Sequence, residues 1–133
     1  MGMDSRGFTL IELLIVMAIV AVLTGIAYPG YTGHMKKVHR AEIAALLTEQ
    51  AQQLERFYTR NGTFIDAIGI SAGNDRYRIT AALNPRDFQL VATPGVGSPM
   101  AGDACGEFSL SSTGAKANPG AAPEMSRKLC WGQ

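Results

Sequence analysis

The chain is short of the groups from which most active sites are built: two cysteines, two histidines, one tryptophan and almost no excess of charge. With Cys105 and Cys130 alone, a single disulfide is the simple reading, and it places the domain that carries it in an oxidising compartment. His34 and His39 stand five apart with no nearby third ligand, which argues against a metal site. Both lie beside the apolar segment, so no Ser/His/Asp or Cys/His arrangement assembles elsewhere, and neither an enzyme nor a cofactor is expected. Asp75, Asp103 and Glu107 are too scattered to propose calcium. Gly95-Val96-Gly97 lacks the strand-to-helix setting of a phosphate loop and reads as a turn. The formal net charge is +1, and beyond Pro29 eleven Lys or Arg face nine Asp or Glu, too even a balance for a nucleic-acid footprint. At 133 residues there is room for one membrane segment and one small domain of about a hundred residues.

What the chain has in abundance is one apolar run. Phe8 to Tyr28 spans about 31 Å as a helix, enough to cross a hydrocarbon core. Its one ionisable side chain is Glu12. A carboxylate at the centre of such a helix costs roughly 2.5 to 3.5 kcal/mol, so Glu12 either reaches water at the end of the span or has a functional partner. No cap separates the polar leader, residues 1–7, from the run. Gly25 and Pro29 interrupt its far end, and helical periodicity resumes beyond Gly33.

From there Ile43, Leu47, Ala51, Leu54 and Tyr58, flanked by Ala44 and Phe57, recur at helical spacing, with Glu42, Glu49, Gln52, Gln53 and Arg56 opposite. Lys36, Lys37 and Arg40 read as a solvated helix face. Asn61-Gly62 ends the helix. The period then changes to two. Tyr77, Ile79, Ala81 and Leu83 alternate with polar or small residues, as do Phe88, Leu90 and Ala92, and Asn84-Pro85-Arg86-Asp87 joins them into a hairpin. A third strand is predicted over Glu107 to Ser111, closed by Thr113-Gly114, with loops at 94–103 and 115–123.

The junction Gly7-Phe8-Thr9-Leu10-Ile11-Glu12 and the apolar run behind it resemble the class III signal of type IV prepilins and pseudopilins. The resemblance implies that a prepilin peptidase cuts after Gly7 and methylates the new N-terminus, Phe8. Glu12 then becomes the fifth residue of the mature chain, with its carboxylate close to the Phe8 amine of a neighbouring subunit in the filament. Pro29 and Tyr31 match positions the family commonly fills this way. Ala21 stands where many pilins have glycine, so the stretch that unwinds on assembly is expected over Thr24 to Pro29, with Gly25 and Pro29 as the helix break. ERFYTRNGTF at 55–64, FQLVATP at 88–94 and CGEFSLSSTGAK at 105–116, with Cys130-Trp131, resemble the PilE-like minor pilins of type IV pili.

The implied fold is α+β, a long N-terminal helix on a small antiparallel sheet. Its expected parts are a leader at 1–7, a transmembrane and assembly helix at 8–28, an amphipathic continuation at 29–60, and a periplasmic β domain at 61–133 whose C-terminal region is bounded by a Cys105–Cys130 disulfide. The implied function is that of a minor pilin, held in the inner membrane and then built into a type IV pilus or its priming complex. The implied partners are prepilin peptidase, other minor and major pilins and the inner-membrane assembly platform; nucleic acid is not expected. A type II secretion pseudopilin is the alternative. A DNA-uptake pilin is a third reading, for which only Arg76, Arg78 and Arg86 cluster. An ordinary signal peptide cut after Ala27 is disfavoured by Glu12 and by a span longer than the usual 7 to 15 residues or so. Lys36, Lys37 and Arg40 outnumber the cations of the leader, which by charge count favours the opposite orientation, but the cysteine pair and the signal junction place the C-terminal domain outside the cytoplasm.

Overall fold

A computed structural model of the protein describes residues 7–132. Residues 1–6 of the expected leader, and Gln133, lie outside the described residues. Helix α1 runs over Leu10–Asn61, followed by strands β1 (Tyr77–Leu83), β2 (Phe88–Pro94), β3 (Phe108–Ser111) and β4 (Lys116–Ala117), and a one-turn helix α2 (Arg127–Trp131). The chain divides into two compact units at Met35/Lys36.

In the first unit every large apolar side chain from Phe8 to Tyr31 is exposed. Helix α1 has here a mean hydropathy of 2.7 and is long and apolar enough to cross a membrane. A helix apolar on all sides has no core of its own to face and requires lipid or other helices around it.

The second unit holds the core. Its portion of α1 buries Ile43, Ala44, Leu47 and Leu54, with Ala51 and Tyr58 partly buried, while Glu42, Glu49, Gln52, Gln53 and Arg56 stay exposed as their spacing predicts. Gly62 terminates the helix in the left-handed region at φ +71°, and its N–H donates to the Tyr58 carbonyl at 2.7 Å. The four strands form one antiparallel sheet in sequence order. Strands β1 and β2 pair from Tyr77 opposite Pro94 to Leu83 opposite Phe88, closed by the Asn84 N–H on the Asp87 carbonyl at 2.9 Å. Leu90 opposes Leu110, and both are buried with Phe88 and Phe108 in the same core as the α1 residues. The α+β architecture expected from the sequence is the one observed.

Four local expectations are corrected. Thr113-Gly114 does close β3, but Ser111 N–H then donates to the Ala115 carbonyl at 3.1 Å and the chain returns as β4 inside the stretch predicted to be loop. Two residues are too few to display a period of two. Helix α2 also falls where no element was predicted; Ser126 caps it through its side chain to the Leu129 N–H, and Gly132 ends it at φ +77°. The third strand begins at Phe108, one residue later than expected. The alternation over β1 does not carry through to burial: Tyr77 and Ile79 are buried, but Ala81, although paired with Leu90 of β2, is exposed.

Candidate functional site

Glu12 lies in the first turn of α1, and it does not stand alone. The Glu12 N–H donates to Thr9 Oγ1 at 3.1 Å, and the Thr9 N–H donates to Glu12 Oε2 at 3.4 Å. This reciprocal pair is a capping box, in which Thr9 and Glu12 each satisfy a backbone donor that a helix start leaves open. The helix therefore does have a cap, contrary to the expectation from sequence, and the signal was present in Thr9-x-x-Glu12. Phe8 and Gly7 are exposed just before it. A Cβ built on Gly7 meets nothing within 4 Å among the described residues, so no internal packing demands a glycine there.

Gly25 and Pro29 do not break the helix in this chain. They are related as i and i+4: the missing Pro29 N–H is the one that would have bonded the Gly25 carbonyl, and a single lost bond leaves the turns on either side intact. Two hydroxyls in this region bond within the helix, Thr24 to the Val20 carbonyl at 2.7 Å and Thr32 to the Pro29 carbonyl at 3.0 Å. In an apolar medium such internal bonds spare each hydroxyl an unsatisfied donor.

In the second unit Cys105 and Cys130 form a disulfide across a sequence separation of 25, with Cα atoms 5.8 Å apart. The cysteines flank an aromatic chain: Phe108 meets Trp131 edge to face at 5.2 Å and Tyr77 at 5.8 Å. Lys116 Nζ lies 5.4 Å from the Trp131 ring centroid. The region 105–131 is thus tied to the sheet covalently and by ring packing.

Arg40 is not part of a solvated face. Its Nε and Nη2 donate to Asp103 Oδ2 and Oδ1 at 2.9 and 2.6 Å, with side-chain exposures of 14% and 1%. Burial pushes the Asp103 carboxyl up, but the hydrogen bonds and charge of Arg40 outweigh it and hold the group below its ordinary value. The Asp103 hydrogen bond likewise raises Arg40 against its own desolvation. Burial, then the Asp103 charge, pushes the Tyr77 phenol up. The partners are 63 residues apart, so no local pattern announces them. Lys36 and Lys37 remain exposed, whereas His39 is buried, its Nδ1 3.7 Å from Glu42 Oε2.

Of the cations singled out for nucleic acid, Arg76 is drawn off to Glu42 at 3.3 Å, and Arg78 and Arg86 are exposed. The loop between α1 and β1 is pinned at two places the sequence did not reveal. Gln50 Oε1 accepts the Ser71 N–H at 2.8 Å, and Gly73, at φ +121°, packs so closely that an added Cβ would lie 2.1 Å from the Tyr77 carbonyl oxygen.

Two family profiles match this chain. One, the prokaryotic N-terminal methylation motif, covers residues 2–28. The other, described as type IV minor pilin ComP, DNA uptake sequence receptor, covers residues 29–109, more than half of the chain. The chain belongs to this family of type IV pilins. Among relatives, the pilin is 30% identical over 95 residues to the fimbrial protein EcpC of Eikenella corrodens, covering 59% of this chain and 62% of that one. It is 37% identical over 57 residues to the type IV major pilin protein PilE1 of Neisseria gonorrhoeae, covering 43% and 34%. The pilin thus spans less than two thirds of the length of these relatives. Its fold is similar to a type IV pilin from Shewanella oneidensis, with a TM-score of 0.55 at 26% identity over 72% of this chain and 97% of that one. The non-core minor pilin PilV of Neisseria meningitidis gives a TM-score of 0.56 at 28% identity over 70% and 93%.

Proposed function

We propose that this pilin is a minor subunit of a type IV pilus, cleaved after Gly7 and N-methylated on Phe8 by prepilin peptidase. Residues 8–28 then hold it in the inner membrane with the disulfide-bonded domain in the periplasm, where the bond between Cys105 and Cys130 is stable. From there it enters the pilus, or its priming complex with other minor and major pilins, at the inner-membrane assembly platform. Its work is structural and no catalytic step is assigned to it.

The observation that carries this reading is Glu12, the lone carboxylate of the exposed apolar stretch from Phe8 to Tyr31, whose charge is met among the described residues by the Thr9 backbone N–H. On assembly the Phe8 amine of a neighbouring subunit supplies the opposite charge, and packings that leave Glu12 dry and unpaired are penalised by several kcal/mol. Gly25 and Pro29 mark where the helix, already short of one hydrogen bond, unwinds in the filament. N-terminal sequencing and intact mass of membrane-extracted protein test the processing step. A mature chain starting at Phe8 with one added methyl is expected, and a chain starting at Tyr28 overturns the reading. Loss of surface pili or twitching motility in a null strain, with type II secretion intact, separates pilus from secretion piston.

A second reading, capture of DNA by the same pilin on the pilus, is favoured by the match of residues 29–109 to a DNA uptake sequence receptor family. Even overall charge does not oppose it, because binding depends on where unpaired cations gather and not on their sum.

A further inference from the structure

The last two turns of α1 carry an unclaimed basic cavity. It has a volume of about 510 Å³ and is lined by Gln53, Arg56, Phe57, Arg60, Asn61 and Ile68. Arg56 and Arg60 are one helical turn apart, both exposed, and among the described residues neither forms an ion pair or a side-chain hydrogen bond. No acidic side chain lines this cavity. The neighbouring grooves differ in that respect: Glu49 lines one and Glu55 the other. The cavity beside Cys130 contains Arg40, whose charge Asp103 already neutralises, and one further cation, Lys37, so it does not offer a pair of guanidiniums. Ile68, from the loop between α1 and β1, is almost fully exposed at 87%, so apolar surface and two guanidiniums share one open site.

Resting on the DNA-capture reading, we infer that Arg56 and Arg60 bind the phosphodiester backbone of duplex DNA at this cavity. Two guanidiniums at helical i, i+4 spacing present donor forks along one line, the geometry that grips successive phosphate oxygens bidentately. The Gln53 amide stands on the same wall as a neutral donor. A plain alternative is that Arg60, in the last turn, only complements the negative end of the helix dipole. That role predicts a change in stability and none in DNA binding.

The test uses the full processed pilin in detergent micelles with a short labelled DNA duplex, titrated at several salt concentrations. R56Q/R60Q is expected to weaken binding roughly tenfold and to lower the slope of log affinity on log salt by about two, one unit for each phosphate no longer neutralised. R56K/R60K should recover most of the salt slope, because a lysine still neutralises a phosphate. A charge-matched double variant on α2, R127Q/K128Q, should bind as the parent does. If R56Q/R60Q binds like the parent while the parent binds DNA, the site is overturned and the DNA reading stands. If the parent binds no duplex even at low salt, the DNA-capture reading falls and takes this inference with it.

Discussion

Thr9 and Glu12 close the first turn of α1 on each other, side chain to backbone in both directions. The carboxylate that looks anomalous in an apolar segment is therefore a helix cap in the single chain. In the proposed assembly role it has a second use, in which the same oxygens face the Phe8 amine of a neighbour.

Substitutions at these two residues separate the uses. Glu12→Gln keeps an acceptor for the Thr9 N–H but removes the charge, whereas Thr9→Ala removes the hydroxyl cap at a cost of about 1 kcal/mol and keeps the charge. If charge pairing governs incorporation, Glu12→Gln and Glu12→Ala are processed and inserted normally yet vanish from sheared pili, while Thr9→Ala is still recovered there. Quantifying the pilin in membrane and pilus fractions by immunoblot decides. Recovery of Glu12→Ala at the parental level would remove the assembly role.

The disulfide closes a loop of 25 residues, for which the chain-entropy model gives about 3.5 kcal/mol. For a domain of this size, reduction or Cys105→Ser should lower Tm by roughly 15 °C or more. The lone tryptophan, Trp131, sits next to Cys130 against Phe108 and reports the change by fluorescence. An unaltered thermal transition in reductant would show that ring packing alone holds region 105–131.

Arg40 and Asp103 supply a pH dependence. The folded-state pKa of Asp103 is depressed, so its contribution is fully present above the unfolded value of about 3.9 and is lost as pH falls through the lower folded value. Thermal melts across the acid range should show a steeper loss of stability in the parent than in Asp103→Asn. At neutral pH, Asp103→Asn leaves Arg40 without its counter-charge and should cost about 3 kcal/mol, whereas the double change Arg40→Met/Asp103→Leu should cost less than either single one. Equal or additive losses would exclude this coupling.

Gly73→Ala should be among the most damaging small substitutions. Its Cβ would strike the Tyr77 carbonyl at 2.1 Å in a backbone conformation that L residues rarely adopt. A cost of about 2 to 4 kcal/mol is expected from strain and displacement of the Gly73 to Arg78 bridge. Gly97→Ala, at φ +78° but in open space, should cost less. Urea midpoints of the two variants compare them directly.

Features that repeat at short range were legible in the chain itself. The apolar run, the helical stripe from Ile43 to Leu54, the alternation at Tyr77 to Ile79 and Phe88 to Ala92, and the stop at Gly62 each arise from residues within a few positions of one another. The Thr9-x-x-Glu12 cap belongs with them. With only two cysteines, the disulfide partners had no competitors. Tertiary structure decided what depends on distant parts of the chain meeting. It joined Arg40 to a carboxylate 63 residues on, diverted Arg76 to Glu42, and set Gln50 under the backbone of Ser71. It also left Arg56 and Arg60 unclaimed beside Ile68. A charged side chain has the same letter in the sequence whether it is solvated, paired or waiting for a ligand, and only the groups folded against it distinguish the three.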